Sequence, residues 1–293
     1  MNSFLLSTSL GTFALRDSGG TGRAVVLLHG WPESSYCWQP VLPFLPREGF
    51  RYLRPDLRGL GDSERTDGLL PYHKNSLARD VLALLDALSI GSCVLVGHDW
   101  GGIVAQELAL LAPDRVSALA LLAINVLPNA QGNALARQTL RGAAGRSLWY
   151  QTFQQLPYLA EAMIPGNEEV WLRTFLRFAD GRPFPDETLA EYVRTFRIPG
   201  TPRTSASYYR TLKADMTRWQ GLAGRGFGVP GLVLHGTADP VIVPTYFVGA
   251  EACFSQFKIV SLEGAGHFLM EERPEAVGRA LGEWLGEAQS VER

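Results

Sequence analysis

The chain has 293 residues, of which 46% are hydrophobic and 19% are charged, and its formal net charge is −2. This is the composition of a globular protein, and it excludes a disordered, fibrous or coiled-coil chain. The basic residues are scattered, whereas nucleic-acid-binding proteins cluster theirs, so no nucleic-acid partner is expected.

The first ten residues contain a short apolar stretch with no basic residue ahead of it, which is not the pattern of a secretory signal peptide. No apolar run is long enough to span a bilayer, and we therefore expect a cytoplasmic protein with no membrane partner. The three cysteines, Cys37, Cys93 and Cys253, are too few and too dispersed for a disulfide framework or a zinc site.

The first third of the chain alternates strand and helix patterns. Continuous apolar runs predict strands buried on both faces, and apolar residues along one side of a helical pattern predict an amphipathic helix. In chain order, the predicted elements are a strand at 24–28, a weaker strand at 51–54, a helix at 77–88, a strand at 93–96, a helix at 101–111 and a strand at 116–124.

The pattern changes in the middle of the chain, where strand-like runs disappear and helical periodicity takes over. Beyond Pro230 the first pattern returns, with strands predicted at 231–234 and 257–262 and a last helix at 274–285. Alternating strands and helices indicate the α/β class, with a mostly parallel sheet flanked by helices.

The helical block is too long to be a loop and predicts a subdomain inserted into the α/β core. We therefore divide the chain into a first part of the core at residues 1–125, a helical insertion at 126–225 and a second part of the core at 226–293.

A glycine-rich turn, Gly-His-Asp-Trp-Gly-Gly, connects the strand at 93–96 to the following helix and has Asp99 at its centre. Small residues two before and two after Asp99 permit a sharp turn that lifts the central side chain above the sheet edge. With an ordinary pKa of about 3.9, an aspartic acid is ionised at neutral pH. Its carboxylate can attack a saturated carbon, such as one in an epoxide ring or one bearing a halogen, and form an ester with the enzyme.

The two partners of a hydrolytic triad follow in the order acid, then base. Asp239 comes after the strand at 231–234, and His267 comes after the strand at 257–262. Both lie just past the carboxyl ends of strands, where open α/β sheets place their functional sites. We therefore predict that His267 takes a proton from water and that Asp239 orients its ring.

A third motif, His-Gly-Trp-Pro-Glu at residues 29–33, directly follows the first buried strand. A loop at this place supplies one backbone N–H of an oxyanion hole, and the residue after the nucleophile supplies the other. We assign these two donors to Trp31 and Trp100. His29 is interpreted as a packed residue that supports the loop.

Taken together, the motif at 29–32, the turn around Asp99, Asp239 and His267 resemble the epoxide hydrolases of the α/β-hydrolase superfamily. The resemblance covers nearly the whole chain and implies an α/β-hydrolase fold with residues 126–225 as an inserted helical cap. Haloalkane dehalogenases share the Asp nucleophile, the acid, the histidine and the cap, so the triad does not separate the two groups.

In epoxide hydrolases, two cap tyrosines bind the epoxide oxygen and help to protonate it as the ring opens. The segment from Trp149 to Phe153 is similar to the first tyrosine segment of the family, and Ser-Tyr-Tyr-Arg at 207–210 is similar to the second. The resemblance therefore implies Tyr150 and Tyr209 as acids, with Tyr208 as the competitor for the second place.

The resemblance implies that Asp99 attacks a ring carbon and that water, activated by His267, hydrolyses the resulting ester to a vicinal diol. Neither a metal nor an organic cofactor is expected, the partners are a small epoxide and water, and the protein is expected to be a monomer or a homodimer. The residues expected to bind the substrate are aromatic and indicate an apolar pocket: Trp31, Trp100, Trp149, Phe153 and Phe268.

Two alternatives stay open at this point. A haloalkane dehalogenase would use the same nucleophile, but many of these enzymes carry Asn where this chain has Trp31. Fluoroacetate dehalogenases typically carry Arg after the nucleophile, where this chain has Trp100. A small-ligand receptor on the same fold is the second alternative, although every part of the catalytic machinery is present.

Overall fold

A single eight-stranded sheet forms the centre of the computed structural model, which describes residues 2–140 and 148–290. Three stretches lie outside the described residues: Met1, residues 141–147 and residues 291–293. They belong to the predicted segments 1–125, 126–225 and 226–293, respectively. The strands are β1 Asn2–Thr8, β2 Gly11–Asp17, β3 Arg23–Leu28, β4 Phe50–Pro55, β5 Cys93–His98, β6 Val116–Leu122, β7 Gly231–Gly236 and β8 Phe257–Leu262.

The strand order is β1-β2-β4-β3-β5-β6-β7-β8, so β1 and β2 stand at one edge and β8 at the other. β2 pairs antiparallel with β1 and with β4, and all the remaining neighbours are parallel. The predicted α/β class with a mostly parallel sheet is confirmed.

The helices flank this sheet and fill the long connection between β6 and β7. They are α1 Lys74–Ala87, α2 Trp100–Leu111, α3 Ala130–Leu140, α4 Trp149–Gln155, α5 Leu159–Met163, α6 Glu168–Phe175, α7 Asp186–Phe196, α8 Thr201–Arg210, α9 Leu212–Trp219, α10 Leu269–Glu272 and α11 Pro274–Ser290. Helices α3 to α9 come from the segment predicted as a helical insertion, and its assignment as a separate subdomain stays a prediction.

The apolar runs of the central strands are buried because both faces of the sheet are covered. In β3, Val26 and Leu28 belong to one hydrophobic cluster, whereas Val25 and Leu27 belong to the cluster on the opposite face. The first cluster includes residues of α1 and α2, and the second includes residues of α11. Tyr209 packs into the first cluster, so the inserted helices contact the core directly.

Two elements differ from the sequence prediction for local reasons. Strand β6 ends at Leu122 rather than at residue 124, because Ala123 has a φ of 47° and leaves the extended conformation. The edge hairpin of β1 and β2 was not predicted, since β1 is largely exposed and lacks the continuous apolar run of a buried strand. Among the described helices, none combines the length and the apolarity needed to cross a membrane.

Candidate active site

The turn around Asp99 lies between β5 and α2. Asp99 has a φ of 48°, a left-handed conformation that is strained for a residue with a side chain. A Cβ added to Gly97 would lie 2.5 Å from the carbonyl oxygen of Gly101, and one added to Gly101 would lie 2.4 Å from the carbonyl oxygen of His29. Only glycine allows the backbone segments to approach this closely, which explains the pattern of small residues around Asp99.

The three residues predicted as a triad meet at the carboxyl ends of β5, β7 and β8. His267 Nδ1 lies 2.8 Å from Asp239 Oδ2, and its Nε2 lies 3.6 Å from Asp99 Oδ2. The other oxygen of Asp239 accepts hydrogen bonds from the backbone N–H groups of Val241 (2.7 Å) and Ile242 (3.0 Å). Asp239 is therefore held by the backbone and in turn holds the imidazole ring of His267 between two carboxylates.

The electrostatics of this group depend on the mutual proximity of the three side chains. Burial alone would raise the pKa of Asp99, but the hydrogen bond and charge of His267 outweigh it and hold that pKa below its ordinary value. Burial also works to lower the pKa of His267, yet Asp239 and Asp99 hold it well above its ordinary value. In the free protein, the two side chains therefore favour each other's charged forms, a carboxylate at Asp99 and an imidazolium at His267.

A backbone donor points at Asp99 from the loop after β3. The N–H of Trp31 donates to Asp99 Oδ1 at 2.9 Å, and the peptide bond between Trp31 and Pro32 is cis. Trp100 follows Asp99 as the first residue of α2. His29 accepts a hydrogen bond from the N–H of Leu57 at 2.9 Å, in agreement with a supporting role in the loop.

Aromatic side chains bring the two predicted tyrosines together above Asp99. The ring of Trp31 stacks on Tyr150 with centroids 5.3 Å apart and meets the ring of Tyr209 edge-on at 5.4 Å. The two tyrosine rings lie 5.7 Å apart. Burial and the charge of Asp99 raise the pKa of Tyr150, and burial, Tyr150 and Asp99 raise the pKa of Tyr209, so both hydroxyls are protonated at neutral pH.

Two cavities meet at Asp99. We call the first, of about 430 Å³, the α9 cavity, because its walls include Leu212, Met216 and Trp219 of α9. The second, of about 370 Å³, is the α6 cavity, with Thr174 and Phe175 of α6 in its wall. Four residues line both cavities: Asp99, Tyr150, Tyr209 and Val241.

The aromatic residues assigned to substrate binding fall into two groups. Trp100 lines the α9 cavity, and Trp31 and Phe268 line the α6 cavity. Trp149 and Phe153 do not line either of these cavities; they pack against Trp171 of α6, and the assignment of the two to substrate binding stays a prediction.

The two adjacent tyrosines of α8 have different surroundings. The hydroxyl of Tyr208 donates to the backbone carbonyl of Arg58 at 2.8 Å, and the side chain is fully buried away from both cavities. Tyr209 lines both cavities together with Asp99. Of the two candidates, only Tyr209 therefore has access to the space beside Asp99.

Known proteins share both the sequence pattern and this architecture. The model of the α/β hydrolase fold family matches residues 23–274. Epoxide hydrolase A of Mycobacterium tuberculosis (strain ATCC 25618 / H37Rv) is 33% identical over 300 aligned residues, which cover 92% of this chain and 92% of that protein. The chain belongs to the epoxide hydrolases of the α/β-hydrolase fold family.

Two further epoxide hydrolases are also similar to this chain. The soluble epoxide hydrolase of Corynebacterium sp. (strain C12) is 32% identical, with 89% of each chain covered. The crystal structure of epoxide hydrolase A from Mycobacterium thermoresistibile matches with a TM-score of 0.82 at 28% identity, covering 97% of this chain and 98% of that chain.

A buried pair, Glu33 and His98, lies next to this site and was not predicted from the sequence. His98 Nδ1 lies 2.8 Å from Glu33 Oε2, and its Nε2 lies 2.9 Å from the carbonyl oxygen of His267. Glu33 also accepts a hydrogen bond from the N–H of Gly30 at 3.3 Å. Glu33 lies in the motif at residues 29–33, and His98 directly precedes Asp99. These positions were the only sign in the sequence that the two residues lie near the site.

Proposed function

We propose that this chain converts an epoxide to a vicinal diol through a covalent ester on Asp99. The observation that carries the proposal is the placement of Tyr150 and Tyr209 in the walls of both cavities beside the nucleophile. Ring opening generates an alkoxide, which needs a proton, and a tyrosine with a raised pKa is a protonated donor at neutral pH.

In the first step, the carboxylate of Asp99 attacks a ring carbon, the C–O bond breaks, and the tyrosine pair protonates the departing oxygen. The product is a hydroxyalkyl ester of Asp99. Esterification removes the negative charge of Asp99, one of the two charges that raise the pKa of His267. The imidazolium therefore gives up its proton more readily in the ester than in the free enzyme. The tyrosinate left by ring opening takes up one proton, and His267 becomes neutral.

In the second step, neutral His267, oriented by Asp239, deprotonates water, which attacks the ester carbonyl carbon. The backbone N–H groups of Trp31 and Trp100 stabilise the oxyanion. The ester C–O bond then breaks, the His267 imidazolium protonates the departing alkoxide so that the diol leaves, and the carboxylic acid of Asp99 returns its proton to His267. The 2.9 Å hydrogen bond from Trp31 to Asp99 supports this assignment, since the donor is already in place. No step of this sequence requires a metal or an organic cofactor.

We also propose that residues 126–225 form a cap that carries the two acids over the nucleophile. Both tyrosines come from helices between β6 and β7, and Trp31, Trp100 and Phe268 supply aromatic walls from the core. The proposed substrates are therefore apolar epoxides with alkyl or aryl groups.

Halide release is the competing reaction of an Asp nucleophile. It needs N–H donors around the leaving anion, and the indole N–H of Trp31 donates to Ser205 Oγ at 2.5 Å instead. This contact supports the epoxide reaction, which needs the acids that Tyr150 and Tyr209 offer.

The test compares diol formation from styrene oxide with halide release from 1-bromobutane in wild type and in a Tyr150→Phe/Tyr209→Phe double variant. We expect diol from wild type only and halide from neither protein. Halide release without diol would replace the proposal with a dehalogenase. Tight ligand binding with no product of either kind would favour a receptor.

A further inference from the structure

Lys74 is completely buried and contacts Trp100, the residue after the proposed nucleophile. Lys74 is the first residue of α1, and its side chain has no exposed surface. Burying an ammonium group is unfavourable unless hydrogen bonds and opposite charges satisfy it. The groups that contact the Lys74 ammonium group therefore indicate its role in this protein.

The ammonium group of Lys74 binds the junction between α8 and α9. Nζ donates to the backbone carbonyl of Tyr208, near the end of α8, and to Thr211 Oγ1 at 2.8 Å. It lies 3.1 Å from Asp215 Oδ2 in the first turn of α9. A cation is favourable at the C-terminal end of a helix, where carbonyl groups lack partners within the helix.

The same ammonium group contacts the core side of the site. Nζ lies 4.4 Å from the centroid of the Trp100 indole, a cation–π contact. The Trp100 ring meets the Tyr209 ring edge-on, with centroids 5.5 Å apart. One charge thus touches the residue after the nucleophile and the residue before the second acid.

We propose that Lys74 is a positioning residue that holds Tyr209 over Asp99 by fixing Tyr208 and Trp100 at once. This inference rests on the proposed function, since it concerns the acid of the ring-opening step. An apolar side chain could fill the same volume against Trp100, but it would leave the Tyr208 carbonyl without this donor and Asp215 without its cation.

Charged groups from three sides face Lys74. Asp215 faces it from α9, and that residue is held by His73 Nδ1 at 2.9 Å. Glu107 acts from α2 and Asp99 from the nucleophile turn. Burial lowers the pKa of Lys74 to about 8, although the three carboxylates oppose the shift. Above that pH the amine is neutral, and the cation–π contact and the charge-assisted hydrogen bonds are lost.

The test measures formation of the ester alone, in a His267→Gln parent that opens the ring but does not hydrolyse the ester. Intact-protein mass after rapid quenching gives the rate at which one substrate mass is added from styrene oxide. We expect Tyr209→Phe to slow this rate about 10- to 100-fold and Lys74→Met to slow it about 10-fold. The double variant should be less than about 3-fold slower than Tyr209→Phe, since Lys74 acts through that tyrosine.

The pH dependence of the rate of ester formation separates the proposed role of Lys74 from a general loss of stability. In the parent, the rate of ester formation should fall above pH about 8, and Lys74→Met should lose this fall. Asp215→Asn removes a charge that raises the pKa of Lys74, so it should move the fall to lower pH. Glu271→Gln is the matched control, because burial raises the pKa of Glu271 to about 8 as well, and the fall should persist.

Arg51→Met serves as the stability control, since it breaks a 2.6 Å ion pair with Asp17 remote from the cavities and should leave the rate unchanged. Ester formation at the parent rate in Lys74→Met would overturn the inference, as would multiplicative effects in the double variant. If Tyr209→Phe formed the ester at the rate of the parent, Tyr209 would not be the acid. If the parent formed no ester at all, the proposed function itself would be wrong. The inference fails in both cases.

Discussion

The charge of Asp99 should control the protonation of His267, and Asp99→Asn tests this directly. The amide is neutral and nearly isosteric, so it imitates the electrostatic state of the ester intermediate. The two side chains are 3.6 Å apart and only 13% and 17% exposed. At that separation, the Coulomb attraction of two unit charges is about 1 kcal/mol in water and about 5 kcal/mol at an effective dielectric constant of 20.

Removing this attraction should lower the pKa of His267 relative to wild type, since Asp99 is one of the groups that raise it. The assay is an NMR titration of the imidazole protons, with the His267 signal identified by its absence in His267→Gln. Asp62→Asn is the control, because Asp62 pairs with Arg194 at the surface and should leave the titration unchanged.

Asp99→Asn should also abolish turnover while the thermal unfolding transition is retained. A His267 pKa that is unchanged or higher in Asp99→Asn would refute the electrostatic reasoning. Stable, substantial diol formation by the same variant would show that another group is the nucleophile.

Three further variants test the geometry. Tyr208→Phe should keep the rate of diol formation within about twofold and lower the free energy of unfolding by about 1–3 kcal/mol, because the buried carbonyl of Arg58 loses its donor; a collapse in rate would make it the acid. Gly101→Ala should destabilise the fold by about 3 kcal/mol or more in chemical denaturation, since the new Cβ would lie 2.4 Å from the carbonyl oxygen of His29; a stable, active variant would contradict the close approach. Asp239→Asn should slow ester hydrolysis about 100-fold or more, so that the ester accumulates in intact-mass spectra; unchanged steady-state ester would exclude its role.

The sequence predicted the core of the fold well, because the central strands are buried on both faces and therefore read as continuous apolar runs. The hairpin of β1 and β2 was not predicted, since β1 is largely exposed and its apolar run at residues 4–6 is only three residues long. The triad candidates were predictable for a related reason. Each follows a recognisable strand, and the carboxyl ends of parallel strands converge.

Contacts between segments remote in sequence could not be predicted. Lys74 stands in the first turn of a helix, where a cation is electrostatically unfavourable and would be expected in solvent. Its burial is a result of the packing of α8 and α9, which no local pattern records. The choice between Tyr208 and Tyr209 likewise depended on which side of α8 faces the cavities.

The two cavities that meet at Asp99 share four wall residues and differ in the rest of their walls. His267 lines only the α6 cavity, while the larger α9 cavity offers room for an organic group bound to Asp99. In the proposed mechanism, His267 therefore meets the hydrolytic water in the α6 cavity, whichever cavity holds the larger part of the substrate.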